Sequence, residues 1–272
     1  MYQQRAIPAQ LGALNKLTWL DLSHNQLSEN NNSIQSCSMC SQLLAHWTPN
    51  RAYSGHQLRG NGTCSTPKSK FRESRTCPVA SRTCTGPIPS ELGHLSVLKR
   101  LNLSGNQLSG PIPPELGNLG ALTSLALGAN KLSGNIPPEL GDLRELQRLW
   151  LSDNHLTGPI PPELGELAAL KSLYLLKNQL TGNIPPELRD LRQLQWLWLS
   201  NNHLTGPIPP ELGKLTALVQ LRLWNNQLSG PIPVELGRLA VLEYLSLGGN
   251  ELTGPIPPEL GTCGTEEALP FE

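Results

Sequence analysis

Leucine alternates with polar or aromatic residues in short stretches that recur along most of the chain. One stretch is LQWLWLSNN, residues 194–202, in which Leu197 and Leu199 stand two positions apart. Because successive side chains of a β-strand point to opposite faces, these leucines share the buried face and the residues between them face outward. The pattern returns every 24 residues between Asn106 and Asn250 and predicts one short strand in each unit.

The Asn that follows each strand is predicted to be structural. Its amide can satisfy backbone N–H and C=O groups that a tight bend leaves unpaired, which an apolar side chain cannot do. Stacked from unit to unit, these amides form a ladder. The ladder consists of Asn25, Asn106, Asn130, Asn154, Asn178, Asn202, Asn226 and Asn250.

One complete unit, LQRLWLSDNHLTGPIPPELGELAA at residues 146–169, contains the LxxLxLxxNxL signature of leucine-rich repeats. Its second half, LTGPIPPELG, resembles the plant-type subclass found in receptor-kinase ectodomains and polygalacturonase-inhibiting proteins. The resemblance covers residues 7–28 and about 86–261, and departs from the pattern at Arg189, which replaces Gly, and Val234, which replaces Pro. It implies an α/β repeat fold: a right-handed, curved leucine-rich-repeat solenoid with a parallel concave β-sheet, short flank strands and short helical turns on the convex side.

The sequence predicts four segments. Residues 1–28 form a first repeat, residues 29–85 an insert, residues 86–261 an array of about seven units, and residues 262–272 a tail without a clear cap. Stacked repeats need polar caps at their ends, so this pattern indicates an incomplete array or a piece of a larger receptor.

The insert interrupts the period, because the step from Asn25 to Asn106 is one unit plus 57 residues. It contains seven Lys and Arg against two acids and has no hydrophobic periodicity. Four interpretations remain open: a zinc site, a disulfide-tied loop like the insertion of some steroid-hormone receptors of this family, a disordered loop, and non-coding sequence from a faulty gene model. The residues concerned are Cys37, Cys40, Cys64, Cys77, Cys84, His46 and His56.

Charge and motifs exclude several functions. With 21 Lys and Arg against 21 Asp and Glu, the chain has no basic footprint for nucleic acid, and no apolar run is long enough to span a membrane. No catalytic motif occurs, so we expect no enzyme activity, cofactor or metal site. The start, MYQQRAIPAQLG, lacks a signal peptide. Localisation is therefore undecided, although the resemblance implies an extracellular or cell-surface protein, in which Asn31, Asn61 and Asn102 are possible N-glycosylation sites.

The outward positions of the strands contain five of the six tryptophans. Between the inward leucines, the units place Asp21, Asn102, Ala126, Trp150, Tyr174, Trp198, Arg222 and Ser246. Two residues earlier they place Trp19, Arg100, Ser124, Arg148, Ser172, Trp196, Gln220 and Tyr244, and a third outward position, two residues later, includes Gly128, Leu176 and Trp224. Since parallel strands lie about 4.8 Å apart, Trp150, Tyr174 and Trp198 are predicted to form a contiguous ladder, with Arg222 stacked on Trp198 at its end.

An aromatic patch of this size usually marks an interaction site. The alternative is that the rings only shield the backbone and stiffen the sheet. The favoured hypothesis is a receptor-like recognition module for signalling or defence that binds a peptide, glycan or protein on its concave face. The other hypotheses are a structural module that assembles with other chains and a regulatory array of a larger kinase or GTPase. The candidate binding residues are Trp150, Tyr174, Trp196, Trp198, Arg222, Trp224, Arg148 and Tyr244.

Overall fold

The fold is known from a computed structural model that describes residue 7, residues 9–23 and residues 85–262. The predictions for Asn25, Asn31, Asn61, the five cysteines of the insert, His46 and His56 lie outside these residues. Strand β2 begins at Thr85, one residue before the predicted start of the main array. In the described residues, no helix is long and apolar enough to cross a membrane.

Each repeat contributes one strand to each of two parallel sheets. The first sheet has the order β1-β3-β5-β7-β9-β11-β13-β15 and the second the order β16-β14-β12-β10-β8-β6-β4-β2. The strands of the first sheet are β1 (Trp19–Asp21), β3 (Arg100–Asn102), β5 (Ser124–Ala126), β7 (Arg148–Trp150), β9 (Ser172–Tyr174), β11 (Trp196–Trp198), β13 (Gln220–Arg222) and β15 (Tyr244–Ser246). Those of the second are β2 (Thr85–Gly86), β4 (Gln107–Gly110), β6 (Lys131–Gly134), β8 (His155–Gly158), β10 (Gln179–Gly182), β12 (His203–Pro207), β14 (Gln227–Pro231) and β16 (Glu251–Thr253).

A short 3-10 helix closes each unit. Proline suits its start, because the first residues of a helix have no intrahelical acceptor for an N–H group and the ring fixes φ near the helical value. The helix is retained where Arg189 and Val234 depart from the repeat pattern. The nine helices of the described residues are Ala9–Ala13, Ser90–His94, Pro114–Asn118, Pro138–Asp142, Pro162–Glu166, Pro186–Asp190, Pro210–Lys214, Val234–Arg238 and Pro258–Thr262.

The inward leucines form the core, as the alternation predicts. Leu197 and Leu199 are both 0% exposed, and the equivalent leucines of the central repeats are buried to the same extent. Each core layer therefore repeats the one before it, and burial of leucine side chains is the main stabilising contribution in every unit.

The Asn ladder is present in the described repeats. The Asn202 amide group donates to the carbonyl oxygens of Leu199, in its own repeat, and Leu175, in the preceding repeat. Its carbonyl accepts from the backbone N–H of Leu180, again in the preceding repeat. The same two hydrogen bonds, from the side-chain amide to a carbonyl of its own repeat and to a carbonyl of the preceding repeat, recur along the ladder. They are formed by Asn106, Asn130, Asn154, Asn178, Asn226 and Asn250.

The first repeat stacks directly on the second. Strand β1 pairs with β3 in register, with Leu20 opposite Leu101, and the Asn106 amide donates to the Leu22 carbonyl at 2.8 Å. The 57 extra residues therefore leave the repeat-to-repeat bonding intact.

The residue before each ladder Asn adopts a left-handed backbone conformation in the repeats after the first. Ala129 has a φ of 54° and Lys177 a φ of 53°, whereas glycine occupies the equivalent position at Gly105 and Gly249. This conformation costs energy for residues with a Cβ atom, and Asn and Asp tolerate it better than Ala or Lys. Asp153, Asn201 and Asn225 fill the remaining positions.

Candidate concave binding surface

Four outward residues of the first sheet lie side by side across four repeats. Trp150 is opposite Tyr174, Tyr174 is opposite Trp198, and Trp198 is opposite Arg222. The strand register predicted from the sequence for these residues is therefore confirmed in the sheet.

Four of these side chains form a continuous stack, here called the aromatic–guanidinium stack: Tyr174, Trp198, Arg222 and Tyr244. The rings of Tyr174 and Trp198 have centroids 4.5 Å apart and are tilted by 44°. The Arg222 guanidinium carbon lies 4.2 Å from the Trp198 ring centroid and 4.8 Å from that of Tyr244. Trp198 thus has a ring on one side and a cation on the other, and the predicted cation–π contact is present.

The Arg222 cation has no acidic partner in the part of the chain that the structure describes. Its Nη2 donates to Gln220 Oε1 at 3.2 Å, whereas its Nε and the indole Nε1 of Trp198 are buried without a hydrogen bond. The stack therefore holds a positive charge in a fixed plane and leaves two donors unsatisfied.

Trp150 does not continue this stack, so the predicted contiguous ladder is wrong at this residue. The indole instead covers Gly128, the third outward residue of the preceding repeat. A Cβ atom on Gly128 would lie 2.6 Å from Cε2 and 2.9 Å from Cδ1 of the indole, and closer still to Nε1 between them. These nearly equal distances mean that the ring face, rather than its edge, rests on Gly128. The absence of a side chain there explains why the indole leans away from Tyr174.

The other predicted residues lie around the stack. Trp196 is half-buried on β11, Arg148 is exposed on β7, and Trp224 is 40% exposed just after β13. Trp19 is 60% exposed, with the Arg100 guanidinium carbon 5.8 Å from its ring centroid. The first two repeats therefore share a cation–π pair that is smaller and more open than the stack.

Two serines beside the tryptophans lack hydrogen bonds, which the sequence interpretation did not identify. In the second repeat, Ser104 donates its hydroxyl to Asn102 Oδ1 at 2.7 Å. Where Trp150 and Trp198 occupy the position of Asn102, the hydroxyls of Ser152 and Ser200 are buried without any partner. An indole offers no acceptor, so the change from Asn to Trp removes this hydrogen bond. The sequence feature that indicates this loss is a Trp followed by a Ser two residues later.

The described residues hold no cluster of three or more His, Cys, Asp or Glu side chains that could bind a metal ion. His155 and His203 are exposed directly after ladder residues that lie two repeats apart, and His203 Nδ1 lies 3.5 Å from Gln227 Nε2. Asn102, the sequon residue within the described range, lies on β3 and accepts from Ser104.

Family models match most of the chain. The model described as Leucine Rich repeats (2 copies) matches residues 192–235. The model described as Leucine Rich Repeat matches residues 16–37, 97–119, 121–143, 145–167, 169–191 and 241–263. No curated protein sequence matches the chain.

Solved structures with the same fold include plant receptor ectodomains. One is the ectodomain of the membrane receptor kinase GASSHO1/SCHENGEN3 from Arabidopsis thaliana in complex with CASPARIAN STRIP INTEGRITY FACTOR 2, with a TM-score of 0.68 and 35% identity over 95% of this chain. Others are the Arabidopsis receptor kinase HAESA with the peptide hormone IDA and the co-receptor SERK1, at 0.64 and 39% over 67% of this chain, and a TDR receptor, at 0.72 and 31% over 95%. The chain spans 27%, 31% and 39% of the lengths of these three neighbours.

Proposed function

Because the chain belongs to the leucine-rich repeat family, in its plant-type form, we propose that it is the ligand-recognition part of a receptor-like protein. The ligand, a peptide, glycan or protein, lies across the concave face of the repeats that contain β7 to β15. Recognition there is non-enzymatic. The contact residues are the four members of the aromatic–guanidinium stack together with Arg148, Trp150, Trp196 and Trp224.

The observation that carries this proposal is that two buried serine hydroxyls beside the tryptophans have no hydrogen-bond partner. Ser152 and Ser200 have no acceptor beside Trp150 and Trp198, whereas Ser104 is satisfied by Asn102 in the same chain. A buried polar group without a partner costs about 1–3 kcal/mol. If the two tryptophans only stiffened the sheet, the loss of stability from the unsatisfied hydroxyls would have no explanation. A binding role for these tryptophans explains it better.

The electrostatics of the surface support a ligand with polar as well as apolar groups. Arg148 and Arg222 have no ion-pair partner in the described residues, and the tryptophans supply large apolar area around them. Aromatic and Arg side chains at the centre of a contact surface usually contribute most of the binding energy. One of the neighbours named above, HAESA, was solved with a bound peptide hormone, which makes a peptide the first ligand class to test.

The experiment selects peptides from a random displayed library against the purified full chain and measures their affinity for variants. We expect Trp198→Ala to weaken selected peptides by about tenfold or more, since a central aromatic anchor contributes about 2 kcal/mol. Circular dichroism establishes that the variant retains its fold.

Trp19→Ala is the matched control, because it removes the same side chain from the concave face of the first repeat, outside the stack. It should leave the affinity within about twofold. Selected peptides that bind both Trp198→Ala and Arg222→Ala as tightly as the unchanged protein would contradict the proposed site.

A further inference from the structure

Trp150 presents an open ring face to the concave surface. Gly128 occupies one face of its indole, and no aromatic ring or cation of the described residues stacks on the other. The side chain is 38% exposed. Trp198 differs, because Tyr174 and Arg222 lie on its two sides. A flat ligand ring can therefore stack on Trp150 but not on Trp198.

Polar groups with free hydrogen-bonding capacity lie on the same face, on β7 and on the two strands that precede it in the sheet. The indole Nε1 of Trp150, the hydroxyl of Ser124 and the guanidinium of Arg148 form no hydrogen bond within the described residues, and Asn102 uses only its carbonyl oxygen, so its amide group is a free donor. The adjoining strand β5 contributes only the small side chains of Ser124 and Ala126 to this face. The face on the N-terminal side of the ring thus has polar groups and little aliphatic wall.

This combination selects among ligand classes. The exposed positive charge of Arg148 disfavours a cationic ligand, and a purely apolar side chain would leave the donors on these strands without partners. A pyranose ring matches both requirements, because its axial C–H groups pack on an aromatic face while its hydroxyls accept and donate hydrogen bonds around the edge. We propose that Trp150 is the stacking platform of a saccharide subsite that binds one pyranose ring, which names a ligand class for the recognition function proposed above and rests on it.

Gly128 is the positioning residue of this subsite. Any side chain there would collide with the face of the indole and force Trp150 into another rotamer. Gly128→Ala therefore disturbs the platform without removing it. Gly120 provides the matched control, because a Cβ atom at that position would meet nothing within 4 Å.

The test uses the full chain and two pyranose probes, neutral cellohexaose and acidic trigalacturonate, with affinities measured by NMR titration. We expect at least one probe to bind, and Trp150→Ala to weaken it by about tenfold, as stacking on an aromatic ring and its area are lost. Gly128→Ala should weaken the same probe by about fivefold or more and shift the tryptophan emission without any ligand. Gly120→Ala and Trp19→Ala should stay within about twofold of the unchanged protein.

The outcomes separate this subsite from the broader proposal. Binding of neither probe, or binding that is unchanged in Trp150→Ala, overturns the saccharide subsite. If displayed peptides still depend on Trp198 in that case, the proposed recognition function stands without the subsite. Equal weakening by Gly128→Ala and Gly120→Ala would show a general effect of glycine replacement and would also overturn it. Preference for trigalacturonate that is lost in Arg148→Gln would add a carboxylate contact to the subsite.

Discussion

The side-chain carbonyl of Asn202 accepts a hydrogen bond at 3.1 Å from the backbone N–H of Leu180, which belongs to the preceding repeat. Leu180 is fully buried, so water does not replace this partner. The carbonyl of Leu175, the other preceding-repeat partner of Asn202, also accepts from Asn178. Of these two backbone groups of the preceding repeat, the N–H of Leu180 is thus the one whose side-chain hydrogen bond comes from Asn202 alone.

We predict that Asn202→Leu lowers the free energy of unfolding by about 2 kcal/mol, because a buried donor loses its acceptor while the side-chain volume stays similar. Urea denaturation measures the overall change, and hydrogen exchange should accelerate most at the Leu180 amide. Asn118→Leu is the control, since Asn118 is exposed at the end of a 3-10 helix. Equal effects of the two substitutions would mean that the ladder contributes nothing specific.

Trp150→Asn is predicted to give a more stable protein than Trp150→Ala, by about 1 kcal/mol. Asn at this position can accept from the Ser152 hydroxyl, as Asn102 accepts from Ser104, whereas Ala cannot. Thermal and urea denaturation of the two variants measure the difference. In a Ser152→Ala background the difference should disappear, and a difference that persists there would have another origin.

A double-mutant cycle with Trp198→Leu and Arg222→Met should give a coupling energy of about 1 kcal/mol, because the guanidinium lies between two rings and is partly desolvated. The same cycle on Trp19 and Arg100 should give less than about 0.5 kcal/mol, since that pair is more distant and more exposed. Unfolding free energies measure both cycles. Similar coupling in the two pairs would contradict a special role for the stack geometry.

Ala129→Gly is predicted to raise the free energy of unfolding by about 0.5 kcal/mol. The left-handed conformation of Ala129 costs roughly 1–2 kcal/mol for a residue with a Cβ, and the greater freedom of glycine in the unfolded chain offsets about half of that gain. Ala169→Gly is the control, because Ala169 lies in a turn without a positive φ, and it should lower stability. Destabilisation of equal size in both variants would show that position 129 is unstrained.

Much of the fold was predictable from the sequence because a repeat imposes the same constraints many times. The alternation around Leu197 fixes which side chains are buried, the constant step places Trp198 opposite Arg222, and the position of Asn202 after the strand predicts the ladder. Each of these depends on register and spacing, which a linear sequence contains directly.

The geometry of individual side chains was harder to predict. Register places Trp150 beside Tyr174, but whether the two rings touch depends on the rotamer, and the free space over Gly128 decides the rotamer. The unsatisfied hydroxyl of Ser152 likewise follows from how the indole replaces the acceptor that Asn102 provides. Such outcomes depend on three-dimensional space between repeats rather than on the pattern within one repeat.

The ladder also gives the solenoid a direction. The side chain of Asn202 bonds to the repeat before it through Leu175 and Leu180, whereas its backbone N–H donates forward to the Asn225 carbonyl of the next repeat. Detaching a repeat from the C-terminal side therefore leaves a backbone N–H of the preceding repeat without its acceptor. Detaching one from the N-terminal side leaves the side-chain amide of the next Asn with the carbonyl acceptors of its own repeat. Under mechanical load the two sides of the array are unequal, and peeling proceeds in even steps of one repeat, each releasing about 80 Å of extended chain.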